Sequence, residues 1–271
     1  PRPVRALSYS GLARYAACSY RFYLERVLGL PEQEPPPGIV AEPAGLEARV
    51  RGTLAHELLE HLDLAPGAPL PGRQEVVEVA AGHGLDLADA EIADLIALVE
   101  SFAASGVHAR LRAASWVRRE HAFAFPLLPG DPTGPLLNGV VDVLADEPGG
   151  EVLVVDWKTD RLGEREPAEL VASAYAVQQA VYAVAVLASG APAVEVAYAF
   201  LEAPEVVVGA RFTPADLPAL WKRVLARAAP VLDGRFPVSA EPHVGLCAGC
   251  PGRGGLCVHP LELTDRVREG V

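Results

Sequence analysis

The stretch VVDWKTDR, residues 154–161, places an acid and an amine two positions apart at the end of an apolar run. Side chains alternate between the two faces of a strand, so Asp156 and Lys158 would share one face while Val155 and Trp157 occupy the other. The apolar start of the stretch indicates a strand of the core. The sequence therefore predicts a buried strand whose end carries a carboxylate beside an ammonium group.

Further strand-like and helical segments surround this stretch. VRREHAFAFPL and LLNGVVDVLAD precede it, separated by the turn-forming sequences PGDPTGP and EPGG, and VEVAYAFL and EVVVGARF follow as a hairpin-like pair around Glu202-Ala203-Pro204. Helical segments are predicted over residues 8–28 (after a Ser10 cap), 46–62, 87–114, 166–189 and 214–232. Residues 31–45 read as a Pro-rich loop. This order predicts an α/β protein with a mixed central sheet flanked by helices.

The domain organisation follows from length and composition. With 271 residues, of which 51% are hydrophobic, the chain has enough apolar surface for one large core. We expect a single domain, divided into a mainly helical part (1–115), an α/β core (116–232) and a cysteine-rich tail (233–271). The absence of methionine and the first residue, Pro1, favour a segment cut from a longer polypeptide.

The charge balance limits the classes of partner. A formal net charge of -12 argues against a broad basic coat, so any nucleic-acid contact must be local or shared with another protein. No run of about eighteen apolar residues and no signal-peptide pattern occurs. We therefore expect a cytoplasmic protein without a membrane partner.

Two acids and a lysine could form a metal site. Asp142 in NGVVDVL ends one strand candidate, and Asp156 and Lys158 end the next. If these strands pair, the carboxylates would converge on a hard cation such as Mg²⁺ or Mn²⁺. Lys158 would then orient or deprotonate a water, or neutralise charge on a phosphate. An Asp-x-Lys pair is also common as a solvated pair at a sheet edge, so this pattern alone leaves both interpretations open.

A histidine and a helical stripe are further candidates. His56 lies one helical turn after Gly52, and neutral imidazole is a common metal ligand, although a capping or core histidine fits equally well. Its five-residue separation from His61 excludes the zinc-protease motif, which needs four. Residues 175, 178 and 182 are spaced by three and four and share a helix face, which fits packing as well as a site.

Four motifs in order resemble one family. Gly-x-x-x-His, Gly-Val-Val-Asp, Asp-x-Lys-Thr and Tyr-x-x-Gln-x-x-x-Tyr, from about Ser8 to Cys257, are similar to the RecB and AddB type nuclease domain of the PD-(D/E)xK superfamily. The resemblance implies a restriction-endonuclease-like core that hydrolyses DNA phosphodiesters with Mg²⁺ or Mn²⁺.

The resemblance also implies roles for single residues. Matched position by position, His56, Asp142, Asp156 and the carbonyl of Trp157 would hold the metal, while Lys158 would assist the attacking water. The matched motif further implies that Gln178 and Tyr182 line the DNA side of the site. Glu120, which otherwise reads as a surface acid, matches an acidic position before the first strand.

Four cysteines point to a second metal centre. Cys18 stands alone, whereas CAGCPGRGGLC supplies Cys247, Cys250 and Cys257. In a cytoplasmic chain such residues favour metal over disulfides, and Cys-x2-Cys-x6-Cys with one distant cysteine fits an iron-sulfur cluster better than the two close pairs usual for structural zinc. Zinc and unligated thiols remain alternatives.

The family resemblance adds a structural role for these cysteines. The same arrangement in AddB-like nucleases and their CRISPR-adaptation relatives implies a 4Fe-4S cluster that fastens the two ends of the domain. The chain departs from that pattern at Ser19, where proline commonly follows the first cysteine. A cluster that closes the loop from residue 18 to residue 247 would remove about 5 kcal/mol of chain entropy, which suggests a structural staple.

The N-terminal helical segment carries a possible DNA-stacking surface. Tyr15, Tyr20 and Tyr23 alternate with Arg14 and Arg21, a combination suited to stacking bases and binding phosphates of single-stranded DNA. Packing of this helix beside the cysteines explains the same residues.

Together these features predict a metal-dependent DNA nuclease. We expect an exonuclease that acts on single-stranded DNA ends without sequence preference, as the C-terminal part of a helicase-nuclease that processes double-strand breaks. Its partner would be a helicase motor in the same chain or complex. The alternatives are a non-catalytic scaffold or DNA-end-binding module with the same fold, and a zinc-binding interaction domain.

Overall fold

The computed structural model describes residues 4–35, 46–131, 133–163 and 165–267. Part of the predicted Pro-rich loop, residues 36–45, lies outside this range. The chain folds as two compact units. Unit 1 comprises Pro1–Glu42, Ala124–Gly139 and Lys222–Val271, and unit 2 comprises Pro43–Phe123 and Val140–Trp221. The expected single domain and its three-part division stay a prediction.

The elements confirm a mixed α/β protein. The strands are β1 (Ala6–Ser8), β2 (Trp116–Pro126), β3 (Leu136–Asp146), β4 (Val152–Lys158), β5 (Val194–Phe200) and β6 (Val207–Phe212). The helices are α1 (Tyr9–Ala17), α2 (Ser19–Phe22), α3 (Ala48–Glu60), α4 (Arg73–Gly82), α5 (Asp89–Ala103), α6 (Gly106–Ala113), α7 (Pro167–Leu170), α8 (Ala176–Ala188), α9 (Leu217–Leu232), α10 (Val244–Cys247) and α11 (Leu261–Thr264). Short π-helical turns occupy Tyr23–Val27 and Val171–Tyr175, and a 3₁₀ turn occupies Pro214–Asp216.

The sheet of unit 2 has parallel and antiparallel neighbours. The second half of β3 runs antiparallel to β4, β4 runs parallel to β5, and β5 runs antiparallel to β6. A turn with two glycines in the left-handed region, Gly149 and Gly150, joins β3 to β4. The five inner residues of β4 are buried, as expected for a strand covered on both faces.

The two faces of β4 pack against different helices. Val155 and Trp157 belong to the core formed with α3, α5 and α6, and the Trp157 ring meets the ring of Phe102 edge to face at 5.7 Å. Asp156 and Lys158 lie on the opposite face, where they contact α8. The alternation predicted from VVDWKTDR is therefore confirmed, and it separates the apolar core from the polar cluster.

Helix α8 is one of the most buried helices of unit 2. By length and composition alone, the helical stretch Pro167–Ala188 is apolar enough to cross a membrane, with a mean hydropathy of 1.6, and half of that window is buried within the fold. Asp89–Ala103 and Gly106–Ala113 would qualify only as a pair joined across a 60° bend. A core helix of a globular protein satisfies the same criterion.

Unit 1 begins with a strand and a helix that differ from the prediction. Leu7 in β1 pairs in parallel with Leu137, at the start of β3. The cap of α1 is Ser8 rather than the predicted Ser10, because Ser8 is extended and its hydroxyl accepts the Gly11 N–H at 3.0 Å. The predicted helix over 8–28 is interrupted at Cys18, whose extended backbone ends α1 and starts α2.

Candidate active site

The acid and the amine at the end of β4 form an ion pair. The Nζ atom of Lys158 lies 2.6 Å from Oδ2 of Asp156, whose side chain is almost completely buried. The other carboxylate oxygen, Oδ1, accepts hydrogen bonds from Gln178 Nε2 at 2.8 Å and from the Tyr182 hydroxyl at 3.0 Å. Asp156 is therefore held by three side chains, two of them on α8.

The predicted stripe on α8 completes this polar cluster. Gln178 uses both ends of its amide, since Oε1 accepts from Lys158 Nζ at 3.1 Å while Nε2 also donates to the Tyr182 oxygen at 3.0 Å. Burial, followed by the charges of Asp156 and Asp142, raises the pKa of Tyr182 well above its usual value. Its hydroxyl consequently stays protonated and serves as a donor to Asp156.

Two tyrosine rings lie against the Lys158 ammonium. The Nζ atom is 3.9 Å from the centre of the Tyr175 ring and 5.4 Å from that of Tyr198. Tyr175, the last residue of the π-helical turn Val171–Tyr175, donates its hydroxyl to Asp160 Oδ2 at 2.9 Å. Cation–π contacts of this kind favour one position of a flexible lysine side chain.

A second cluster could hold a metal ion. Ligand atoms of His56 on α3, Glu120 on β2 and Asp142 on β3 all lie within 4.8 Å of one another. Oδ2 of Asp142 accepts the Trp157 N–H at 2.8 Å and lies 3.6 Å from His56 Nδ1. Imidazole nitrogen and carboxylate oxygens are donors that divalent Mg²⁺ or Mn²⁺ accept.

The hydrogen bonds of His56 determine which nitrogen is free. Its Nε2 lies 3.1 Å from the carbonyl oxygen of Trp157, which can only accept, so Nε2 carries the hydrogen. Burial lowers the pKa of His56, which favours the neutral ring. The lone pair of Nδ1 therefore points towards Asp142 and is available to a metal ion.

The electrostatics of the cluster favour a bound cation. Burial, and then the charge of Asp156, raises the pKa of Asp142 well above its usual range. Burial also raises the pKa of Glu120, with further contributions from Glu60 and Asp156. A positive ion between these carboxylates would offset both the desolvation and the repulsion, so the donor set fits a divalent cation.

The backbone of Glu120 is strained. Its φ angle is +45°, and among the described residues it is the one non-glycine residue in the left-handed region. Such a conformation costs energy in a residue with a Cβ and is concentrated at functional sites. The sequence matched Glu120 to an acidic position before the first strand, whereas the structure has it inside β2 and beside Asp142.

The metal group predicted from the sequence differs in part from the one in the structure. His56 and Asp142 belong to it, while the Asp156 carboxylate is turned towards Lys158, Gln178 and Tyr182. Metal ligation by Asp156 and by the Trp157 carbonyl stays a prediction.

An open cleft leads to the cluster. Its volume is about 540 Å³, and it is lined by one face of α3 together with Glu120, Asp142 and Thr159. Gly52, on this face, lies against β4, because a Cβ added to it would come within 3.1 Å of Thr159 Oγ1. The small residue lets α3 approach the end of β4 and brings His56 to Trp157.

The four cysteines all belong to unit 1 and form no disulfide. Cys18 Sγ accepts the Arg21 N–H, and Cys250 Sγ accepts the Gly252 N–H, each at 3.4 Å. A Cβ at Gly252 would lie 2.7 Å from Leu24 Cδ1, so a side chain there would require the Leu24 side chain to shift. Burial raises the pKa of the Cys250 thiol. What these cysteines bind stays a prediction.

The tyrosines of the N-terminal helices are engaged in packing. The hydroxyls of Tyr15 and Tyr20 donate to the carbonyls of Arg235 and Leu256. Arg21 is bound by two glutamates and by the Leu246 carbonyl. These contacts favour the packing interpretation over a free stacking surface for DNA.

Comparisons with known proteins agree with the geometry. Residues 6–254 match the family model described as the PD-(D/E)XK nuclease superfamily. The chain is 36% identical over 183 residues to an ATP-dependent helicase/nuclease subunit of Desulforudis audaxviator (strain MP104C), a match that covers 63% of this chain and 15% of that protein. It is 28% identical over 165 residues to the protein of the same name from Bacillus pumilus (strain SAFR-032), covering 52% of this chain and 13% of that protein.

One solved structure shares the fold. A putative exonuclease from Eubacterium rectale superimposes with a TM-score of 0.51 at 12% identity, covering 88% of this chain and 85% of that one. Identity this low shows a shared fold alone. The chain spans 15% and 13% of the length of the two curated relatives, which are therefore much longer proteins.

Proposed function

Because the chain belongs to the PD-(D/E)XK nuclease superfamily, we propose that it is a divalent-metal-dependent deoxyribonuclease. Its reaction would be the hydrolysis of phosphodiester bonds at DNA ends, as an exonuclease without sequence preference. The observation that carries the proposal is the group of His56, Glu120 and Asp142, which opens to a cleft beside the Asp156–Lys158 pair.

The residues of the site would have different roles in the reaction. A Mg²⁺ or Mn²⁺ ion held by His56, Glu120 and Asp142, with Asp156 and the Trp157 carbonyl as further ligands, would stabilise negative charge on the phosphodiester. Lys158 would orient the attacking water, since its ammonium is fixed by Asp156, Gln178 and the Tyr175 ring. Tyr182 would hold the Asp156 carboxylate in place.

The wider setting is part of the same proposal. The relatives are helicase/nuclease subunits, so a helicase motor is the partner that we propose for this domain, and repair or degradation of double-strand breaks is its process. For the cysteines we propose a 4Fe-4S cluster. Three close cysteines and one distant cysteine support a cluster over a structural zinc site, which usually draws its cysteines as two close pairs. N–H groups donated to two sulfurs also suit cluster ligands.

The first test is metal-dependent DNA degradation by anaerobically purified protein. Lys158→Ala should reduce the cleavage rate of linear single-stranded DNA in Mg²⁺ or Mn²⁺ by about a hundredfold or more. Lys222→Ala, which removes the chain's other lysine, an exposed one on α9, is the matched control and should cleave normally. Covalently closed circular single-stranded DNA should resist if free ends are needed.

The contrary outcome is equally specific. Folded wild-type protein that degrades no DNA with either metal would contradict the proposal and favour the scaffold alternative. Equal rates for wild type and Lys158→Ala would remove Lys158 from the mechanism.

A further inference from the structure

A second groove adjoins the cleft in unit 2. It has a volume of about 440 Å³ and shares two lining residues with the cleft, Ala48 on α3 and Thr159 after β4. Gly52, one helical turn after Ala48, also lines the cleft. A ligand that extends from the cleft past Ala48 and Thr159 would enter the groove.

The groove carries two exposed arginines, Arg161 and Arg165, which follow Lys158 in the chain. The guanidinium group of Arg165 donates to the backbone carbonyls of Arg161 at 2.5 Å and Leu162 at 3.3 Å. Within the part of the chain that the structure describes, no carboxylate lies within 4.0 Å of either guanidinium group.

A third arginine of the groove shows the contrast. Arg51 is buried and bound to Asp94 at 2.6 Å and to Glu202 at 3.1 Å, so its charge is neutralised within the fold. The Asp160 carboxylate in the same groove accepts the Tyr175 hydroxyl. Among the described residues, the groove's arginines that form no ion pair with a carboxylate are therefore Arg161 and Arg165, and the charge of Arg161 helps to lower the pKa of Asp94.

The charge of the whole protein makes this local charge informative. With a net charge of -12, long-range electrostatics oppose the approach of a polyanion, so binding of DNA needs local cations. Guanidinium groups match phosphate oxygens through two parallel hydrogen bonds. Arg161 and Arg165 are thus exposed, lie near the His56, Glu120 and Asp142 cluster, and have side chains suited to binding phosphate.

We propose that this arginine groove binds a backbone phosphate of single-stranded DNA next to the phosphodiester that is cleaved, an inference that rests on the proposed nuclease function. Arg161 and Arg165 contact the phosphate, and the strand continues past Ala48 and Thr159 to the cluster of His56, Glu120 and Asp142. Base edges play no part, which agrees with cleavage without sequence preference.

The test is the salt dependence of DNA binding in EDTA, where a divalent-metal-dependent nuclease cannot cut. Binding of a fluorescein-labelled oligothymidylate is measured by anisotropy for wild type, R161Q/R165Q and the control R223Q/R227Q, which removes two exposed arginines of α9. The slope of log Kd against log salt should fall by about 0.7 for R161Q/R165Q, as expected for the loss of one phosphate contact on a single strand. The control should retain the wild-type slope.

Kinetics in Mg²⁺ give an independent readout. R161Q/R165Q should raise KM severalfold at unchanged kcat, since the contact is made equally before and during the reaction. Equal slopes and equal KM values for R161Q/R165Q and wild type would contradict phosphate binding in the groove without contradicting the proposed nuclease function. Wild-type protein that binds no oligothymidylate would also contradict phosphate binding in the groove. Wild-type protein that shows the predicted slope difference but cleaves nothing would support the groove and contradict the nuclease function.

Discussion

Asp156 is the residue on which the polar side of β4 depends. Its carboxylate is shared by Lys158, Gln178 and Tyr182, so a change at any of these three alters the environment of the others. The lysine is thereby fixed beside the cleft without being a ligand of the His56 cluster. Two side chains of opposite charge can lie at the end of a core strand because each neutralises the other.

Substitution of Glu120 tests whether its strained backbone lowers stability and whether its carboxylate binds the metal ion. Glu120→Gly should raise the free energy of unfolding in EDTA by on the order of 1 kcal/mol, because glycine adopts a φ of +45° without strain and the repulsion from Glu60 and Asp156 disappears. The same variant should show a smaller rise in melting temperature on addition of Mn²⁺. Urea denaturation and thermal melts measure both effects.

Glu120→Gln is the matched control for this experiment. It removes the charge but keeps the Cβ, so it should recover only the electrostatic part of the gain. A Glu120→Gly variant that is less stable than wild type in EDTA, or that responds fully to Mn²⁺, would contradict this account.

At this scale, the order and spacing of motifs predict which residues lie together. His56, Asp142, Lys158, Gln178 and Tyr182 are grouped in this way, and the structure has all of them in unit 2 around β4, while their roles stay predictions. The left-handed backbone of Glu120 and the Tyr198 ring near Lys158 depend on register between distant strands, which no local pattern encodes.

At the scale of elements, α3 is tied to its neighbours by a buried arginine. Arg51 donates to Asp94 on α5, to Glu202 after β5 and to the Thr159 carbonyl at the end of β4. Three elements are therefore joined through one guanidinium group next to His56. Loosening this tie would affect stability and the geometry of the cleft together.

The effect of Asp94→Asn on the free energy of unfolding should depend on pH, which tests the contribution of the Arg51–Asp94 ion pair. The hydrogen bond from Arg51 lowers the pKa of Asp94, so its stabilising contribution is present above the unfolded pKa and is lost as pH falls through the lower, folded pKa. At neutral pH the variant should be less stable by about 1 to 3 kcal/mol, because Arg51 is buried and loses a partner. The difference should narrow in acid, as pH falls through the lowered pKa of Asp94.

Urea denaturation at both pH values measures this difference. Asp89→Asn, in which an exposed pair with Arg73 is broken, is the control and should change stability little at either pH. A loss of stability in Asp94→Asn that is the same at both pH values would refute the electrostatic explanation.

Element prediction fails for specific physical reasons. Helix α4, between the Pro- and Gly-containing segment 66–72 and Gly84, was not predicted, since it has a weak apolar stripe and only Val76 and Ala80 are buried. Strand β1 has three residues, which are too few to show the alternation of apolar and polar side chains that predicts a strand. The predicted helices and core strands have long apolar patterns, and these are confirmed apart from the interruption at Cys18 and the 60° bend that divides the predicted segment 87–114 into α5 and α6.

At the scale of the whole molecule, the two units differ in how the chain builds them. Unit 2 is formed by two segments, whereas unit 1 is formed by three segments that are far apart in sequence. Composition and periodicity are local properties, so they do not predict which distant segments form each unit, and the expected single domain stays a prediction.

The cysteine centre should act on the stability of unit 1. Cys250→Ala should abolish the brown colour and the iron expected of the proposed cluster, and should lower the free energy of unfolding by up to about 5 kcal/mol through the loss of the long-loop closure. Absorbance, metal analysis for iron and zinc, and thermal melts check this expectation. Wild-type protein from which a chelator has removed the proposed cluster should have the same melting temperature as the variant. A colourless variant of unchanged stability would contradict a structural role for the cluster.

The three-segment construction of unit 1 has a consequence for synthesis in the cell. On the ribosome, Cys18 emerges early, but Cys247, Cys250 and Cys257 follow only after unit 2 has been translated. At about 5–20 residues per second the delay is on the order of ten seconds or more, long enough for unit 2 to fold first. During that interval the Cys18 thiol must stay reduced without its partners, so oxidation of Cys18 during translation would prevent the proposed cluster from forming.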